Sequence, residues 1–218
     1  MLRNYLAEFI GTFFLVFVGC GAMVINNHIG GDITQVGIAM SWGLIVMVIV
    51  YAVGDISGAH LNPAVTIGFW LSKRFEGKQV VPYILVQLMG AFLAIFVLKI
   101  MFPLNDTLGS SLPSGSWQQS FLMEVILSFL LMYVILNVST GAKEKGIMAG
   151  TAIGATVGLE AMFAGPVSGA SMNPARSLAP AILSGHTEHL WVYVVATILG
   201  ACLAVLVCRI NKHLEKSN

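Results

Sequence analysis

Two stretches decide how this chain is read: Ser57–Trp70, SGAHLNPAVTIGFW, and Ser168–Ile182, SGASMNPARSLAPAI. Each breaks an apolar sequence with small residues, then an Asn and a Pro. Asn is a favoured helix N-cap, and Pro, which lacks an N–H, suits the first helical position. Each motif therefore predicts a helix start, entered through an extended, glycine-containing segment. After Asn62 and after Asn173 run about ten helix-compatible residues. That is ~15 Å of helix, half the thickness of a bilayer's hydrocarbon core. The two motifs announce half-helices.

Their surroundings are those of a membrane protein. The 218 residues are 57% hydrophobic and 10% charged, against about 25% charged in a soluble domain. Six stretches reach the ~20 residues that a spanning helix needs: approximately 4–26, 34–54, 80–101, 119–139, 146–164 and 189–210. The apolar run behind the N-terminus is long and holds Glu8, which favours a retained span over a cleaved signal. Arg3, Lys73, Arg74, Lys78, Lys143, Lys145, Arg209, Lys212 and Lys216 all fall on one side of a six-span chain. The positive-inside rule makes that side cytoplasmic, with both termini there. Lys99 and Arg176 are the two exceptions.

The halves repeat. AEFIGTFFLVF from Ala7 is echoed from Met123, SGAHLNPA from Ser57 at Ser168, and PYILVQLMGAFLA from Pro82 at Val192. With three spans per copy, the second copy lies inverted in the membrane. The reading is an all-α membrane protein of six transmembrane helices plus two re-entrant half-helices. It is one channel-like domain over 1–218, with repeat 1 at about 4–101 and repeat 2 at about 119–210. The Ser/Gly/Pro-rich stretch 103–118 reads as the connector between halves. Gly11, Gly43, Gly90, Gly154 and Gly200 read as points of close helix approach.

Inversion brings the two half-helix N-termini together at mid-membrane. Irregular backbone at that depth is tolerated only inside protein or beside a water-filled cavity. Each terminus contributes about half a positive charge. Carbonyls of Gly58, Ala59 and His60, and of Gly169, Ala170 and Ser171, form two rows of acceptors, with the Asn62 and Asn173 amides as donors between them. Such a site suits a neutral, hydrogen-bonding permeant and repels cations.

A pair of Asn-Pro-Ala motifs (Asn62, Pro63, Ala64 and Asn173, Pro174, Ala175) within a six-span inverted repeat resembles the aquaporins of the major intrinsic protein family. The resemblance covers essentially residues 4–210 and implies a homotetramer, each monomer with its own pore. It also implies a selectivity filter, here matched by Trp42, Ala161, Ala170 and Arg176. That set is similar to the nodulin-like intrinsic proteins of plants and their bacterial relatives, which pass glycerol, small amides or undissociated metalloid acids as well as water. The resemblance makes Glu8 and Glu124 buried supports of the half-helix loops. Three positions depart from family patterns: Ala181, where glycerol facilitators carry Asp; Asp55, where His is common; and Glu160 beside Ala161.

The expected function is a passive channel for water and small uncharged solutes in the cell membrane. A strict water channel is the nearer alternative. An ion-coupled secondary transporter, with Glu8 and Glu124 as a coupling pair, is the alternative of another class. Among the five His and three Cys no ligand spacing appears, so neither a metal nor another cofactor is expected. No nucleophile–base constellation suggests an enzyme. A net charge of +1 gives no support for a nucleic-acid partner.

Overall fold

The computed structural model describes residues 1–139 and 147–217. Among these, eight helices follow one another: α1 Leu2–His28, α2 Thr34–Ser57, α3 Pro63–Leu71, α4 Gly77–Met101, α5 Trp117–Val138, α6 Ala149–Ser168, α7 Pro174–Ser184 and α8 Leu190–Ser217. Five of them (α1, α2, α4, α5 and α8) are long and apolar enough to cross a membrane. The sixth long helix, α6, has 20 residues, but its many Gly and Ala dilute its hydropathy. It lies between α2 and α5, so protein rather than lipid covers much of it. Lys143 and Lys145 lie outside the described residues.

Packing follows the repeat. α1 packs on α2 and α4, and α5 packs on α6 and α8 in the same way. The seam between the halves is α2 against α6. At Gly43 an added Cβ would lie 2.7 Å from the Gly154 carbonyl oxygen, and at Gly154 one would lie 2.6 Å from that of Gly43. Gly90 meets the Phe9 carbonyl and Gly200 the Val125 carbonyl at similarly short range. These contacts are backbone to backbone, which is how helices gain packing where lipid removes the hydrophobic drive.

The short helices run outward in opposite directions. α3 ends beside α8, where Arg209 donates to the Leu71 carbonyl. α7 ends at the other extreme, where Lys99 donates to the Leu183 carbonyl at 2.7 Å. A cation on the last carbonyls of a helix is favourable, so Lys99 has an acceptor as well as an exposed position. Trp70, Trp117 and Trp191 are each substantially exposed near helix ends.

Replacing Gly154 with Val would drive a side chain into the α2 backbone. Overpacking of this kind costs about 1–3 kcal/mol. The melting temperature in detergent, followed by tryptophan fluorescence, should fall by roughly 2–10 °C.

Candidate functional site: the cavity between the half-helix tips

Both half-helices begin as the sequence dictates. Asn62 and Asn173 are the N-caps, with Pro63 and Pro174 in the first turn. The Asn62 side chain accepts from the Ala64 N–H at 2.8 Å, and that of Asn173 from the Ala175 N–H at 3.0 Å. The remaining amide groups cross over. Asn62 Nδ2 donates to the Met172 carbonyl at 2.8 Å, and Asn173 Nδ2 to the Leu61 carbonyl at 2.9 Å. An amide NH₂ carries two hydrogens, so each Asn keeps one beyond this clasp.

The segments before the caps are not simply extended, as their sequence suggests. Gly58, Ala59 and Leu61 have φ of 87°, 47° and 55°, and Gly169, Ala170 and Met172 have 84°, 41° and 54°. Only Gly takes this region without strain, and other residues there cost on the order of 1–3 kcal/mol each. Two buried carboxylates hold the strained turns. Glu8 accepts from Ser57 Oγ, the His60 N–H, the Leu61 N–H and Gln87 Nε2, all within 2.9 Å. Glu124 accepts from Ser168 Oγ, the Ser171 N–H and the Met172 N–H, all within 2.8 Å. Hydrogen bonds to a charged group contribute about 1.5–3 kcal/mol each, enough to sustain the local strain.

The tips enclose a cavity of about 60 Å³. At ~10–15 Å³ per water that is room for roughly four to six molecules. One side is polar, from Ala59 to Asn62 and from Ala170 to Asn173, with Arg176. The other is aliphatic, with Val46, Val50, Leu131 and Val157 among its residues. Below it opens a vestibule of about 890 Å³, whose wall includes Gly58, Asp55 and Arg74 and shares Ala59 and His60 with the cavity. The His60 ring is turned into packing: it stacks on Phe69 at 4.6 Å and touches Phe75 and Tyr83.

Arg176, in the first turn of α7, is 1% exposed yet contributes to the cavity wall. Its Nη1 donates to the Gly109 carbonyl at 3.0 Å and to Ser111 Oγ at 2.6 Å. Its Nη2 reaches the Gly169 carbonyl at 3.3 Å. The guanidinium carbon stands 4.9 Å from the centre of the Trp42 ring, a cation–π arrangement. Ser111, Ser177 and Ser171 form a hydroxyl chain behind it, with oxygens 2.7 and 2.5 Å apart. The repeat-mate of Arg176 is Val65, so only one of the two tips carries a charge.

Of the sequence-matched filter positions, Trp42, Ala170 and Arg176 line the cavity together. Ala161 does not. It is buried, and its carbonyl takes a 2.7 Å hydrogen bond from Gln35 Nε2. Gly169 is also not among the residues that line the cavity, and its carbonyl accepts from Arg176 Nη2. Sequence reasoning missed Gly109 and Ser111. They come from the stretch read as a plain connector, which folds inward with Leu108 and Gly109 at positive φ.

A sequence model of the family described as major intrinsic protein matches residues 1–208. The chain belongs to the major intrinsic protein family. Aquaporin NIP1-1 of Zea mays is 51% identical over 201 residues, spanning 92% of this chain and 71% of that one. Nodulin-26 of Glycine max is 44% identical, spanning 99% and 80%. Among solved structures, the aquaglyceroporin from Plasmodium falciparum superposes with a TM-score of 0.83 at 28% identity, covering 94% of each chain. The cavity described here thus belongs to a passive transmembrane channel for water and small solutes.

Replacing Glu8 with Gln puts an NH₂ donor where two or more donors already converge. Osmotic water permeability of proteoliposomes, measured by stopped-flow light scattering at matched protein content, should fall at least tenfold.

Proposed function

We propose that this member of the family passes glycerol, and other small uncharged solutes such as urea or undissociated metalloid acids, alongside water. The observation that carries the proposal is the lining of the cavity around Arg176 and Trp42: Ala170 is small and Val46, Val50, Leu131 and Val157 are aliphatic, so little bulk or polarity on those residues narrows the choice to water. In this reading Trp42, Ala161, Ala170 and Arg176 are the selectivity filter, and Trp42, Ala170 and Arg176 are the members that line the cavity. Asn62, Asn173 and the carbonyls of Ala59, His60, Ala170 and Ser171 carry the permeant between them. Gly58 belongs to the entrance.

Cations and protons are excluded electrostatically. Two helix N-termini, about half a charge each, face the same small volume, and Arg176 adds a full charge within one turn of Asn173. A cation entering the cavity meets three positive sources at its lining, while the Glu8 and Glu124 carboxylates stand behind the loops, engaged by their N–H groups. No chemical transformation is required of any residue, so the protein acts as a channel and not as an enzyme.

The same proposal places the channel in the cell membrane as a homotetramer, one pore per subunit, with both termini cytoplasmic. Support for the orientation comes from the clustering of Lys and Arg at the termini and in the second and fourth links.

A permeability panel of water, glycerol, urea and boric acid on proteoliposomes tests the solute range. Water flux with no faster glycerol entry than in empty vesicles would reassign the protein as a strict water channel. Ala170→Phe and Ala161→His should each reduce glycerol permeability several-fold more than water permeability; equal loss of both would remove these positions from the constriction. Mercurials should inhibit weakly, because Cys20 is fully buried behind Gly109 and no Cys lines the cavity. Rapid block reversed by thiol would contradict that.

A further inference from the structure

The two repeats support their loops with different residues. In the first, the Glu8 carboxylate takes its fourth bond from Gln87 Nε2 at 2.8 Å. In the second, Thr197 stands in the place of Gln87, and its hydroxyl turns back to the Tyr193 carbonyl at 2.6 Å. Glu124 is left with three donors among the described residues. A second exchange accompanies this one. Where the first repeat has Ile49, the second has Glu160.

Ile49 packs on α1 one turn beyond Glu8: a Cβ built on Gly11 would lie 3.0 Å from its Cγ2. By the repeat, Glu160 takes the corresponding place against α5, one turn beyond Glu124. Glu160 is 0% exposed, and neither of its oxygens has a protein partner. The buried Arg176 is already committed to Gly109, Ser111 and Gly169. α5 and α8 also carry the buried hydroxyls of Ser120, Ser128, Tyr193 and Thr197, none of which is a counter-ion. Two ionised carboxylates cannot share such a place, since burial and like charge both oppose the second ionisation. A neutral carboxylic acid, in contrast, has an O–H to give, and Glu124 has an acceptor position left to fill.

We propose that Glu160 carries its proton at neutral pH and donates it in a hydrogen bond to Glu124, supplying in the second repeat the bond that Gln87 supplies in the first. The pair holds one proton and one negative charge. Glu160 is thereby a positioning residue. It acts through Glu124 on the Ser171 and Met172 amides, and so on the loop that carries Asn173 and Arg176.

The test uses the full chain in proteoliposomes at neutral pH. Infrared spectroscopy reads the protonation state directly and does not depend on which solutes permeate. The native protein should show a protonated-carboxyl carbonyl band that disappears in Glu160→Gln, and spectra with no such difference would overturn the proposal. Glu160→Gln keeps a donor and should retain water permeability within about twofold of native. Glu160→Ile, which installs the residue of the first repeat without its partner, should lose several-fold. Adding Thr197→Gln to Glu160→Ile restores the first repeat's arrangement and should recover at least half of the native permeability. Equal impairment of Glu160→Gln and Glu160→Ile, or no recovery in the double variant, would also overturn it. So would a Glu160→Ile protein that conducts as the native one does.

Discussion

Two carboxylates buried among helices make the rest of this structure possible. Glu8 and Glu124 each gather the N–H groups of a loop that would otherwise stand unpaired at the depth where water is scarcest. Binding the N–H groups from behind has a geometric consequence. The backbone turns at positive φ, and the Leu61 and Met172 carbonyls are left to accept the amide of the opposite Asn. The turns cost strain at Ala59, Leu61, Ala170 and Met172, which lie at positive φ without being Gly. That strain is local, and the charge-assisted bonds that offset it are local too. A polar path through an apolar protein thus rests on an interaction that the permeant never touches.

The repeat explains the frame, and the departures from it explain the site. Both halves supply a Gly-initiated loop, an Asn cap and a Pro-started helix. Only one supplies Arg at the following position, where the other has Val65. The charge is accommodated because the segment between the halves folds back to meet it: Gly109 and Ser111 take the guanidinium, and Trp42 lies over its face. Gly19 makes room for that ring, since a Cβ there would fall 2.3 Å from it. A symmetric scaffold therefore carries a polarised cavity, with the asymmetry confined to a few side chains.

Much of this was legible in the sequence, because the signals were local and doubled. Asn followed by Pro before a short helical run has one good physical reading, and finding it twice at inverted positions fixes the topology. The glycines at helix crossings were readable for the same reason, as small residues in a setting where contact needs them. What escaped was set by tertiary contact. Nothing in a Ser/Gly-rich connector distinguishes Gly109 and Ser111 from their neighbours until Arg176 is placed against them. Ala161 holds the matching position in the chain, yet it is not among the residues that line the cavity, and its carbonyl is engaged by Gln35. The left-handed turns at Ala, Leu and Met could not be read from residue type, which disfavours them. The span read at 146–164 is there as α6, Ala149–Ser168, although its many Gly and Ala lower its hydropathy.

The crossed amides of Asn62 and Asn173 bear on how the molecule is made. Each tip finds its last hydrogen-bond partner on the opposite half, 110 or more residues away along the chain. The amino-terminal half emerges from the ribosome first, with a polar loop that nothing yet completes. Until its counterpart arrives, that loop must stay wet or sheltered by other means, because bare peptide groups in hydrocarbon are too costly to wait there. Biogenesis therefore closes late, like a buckle whose two parts are delivered separately.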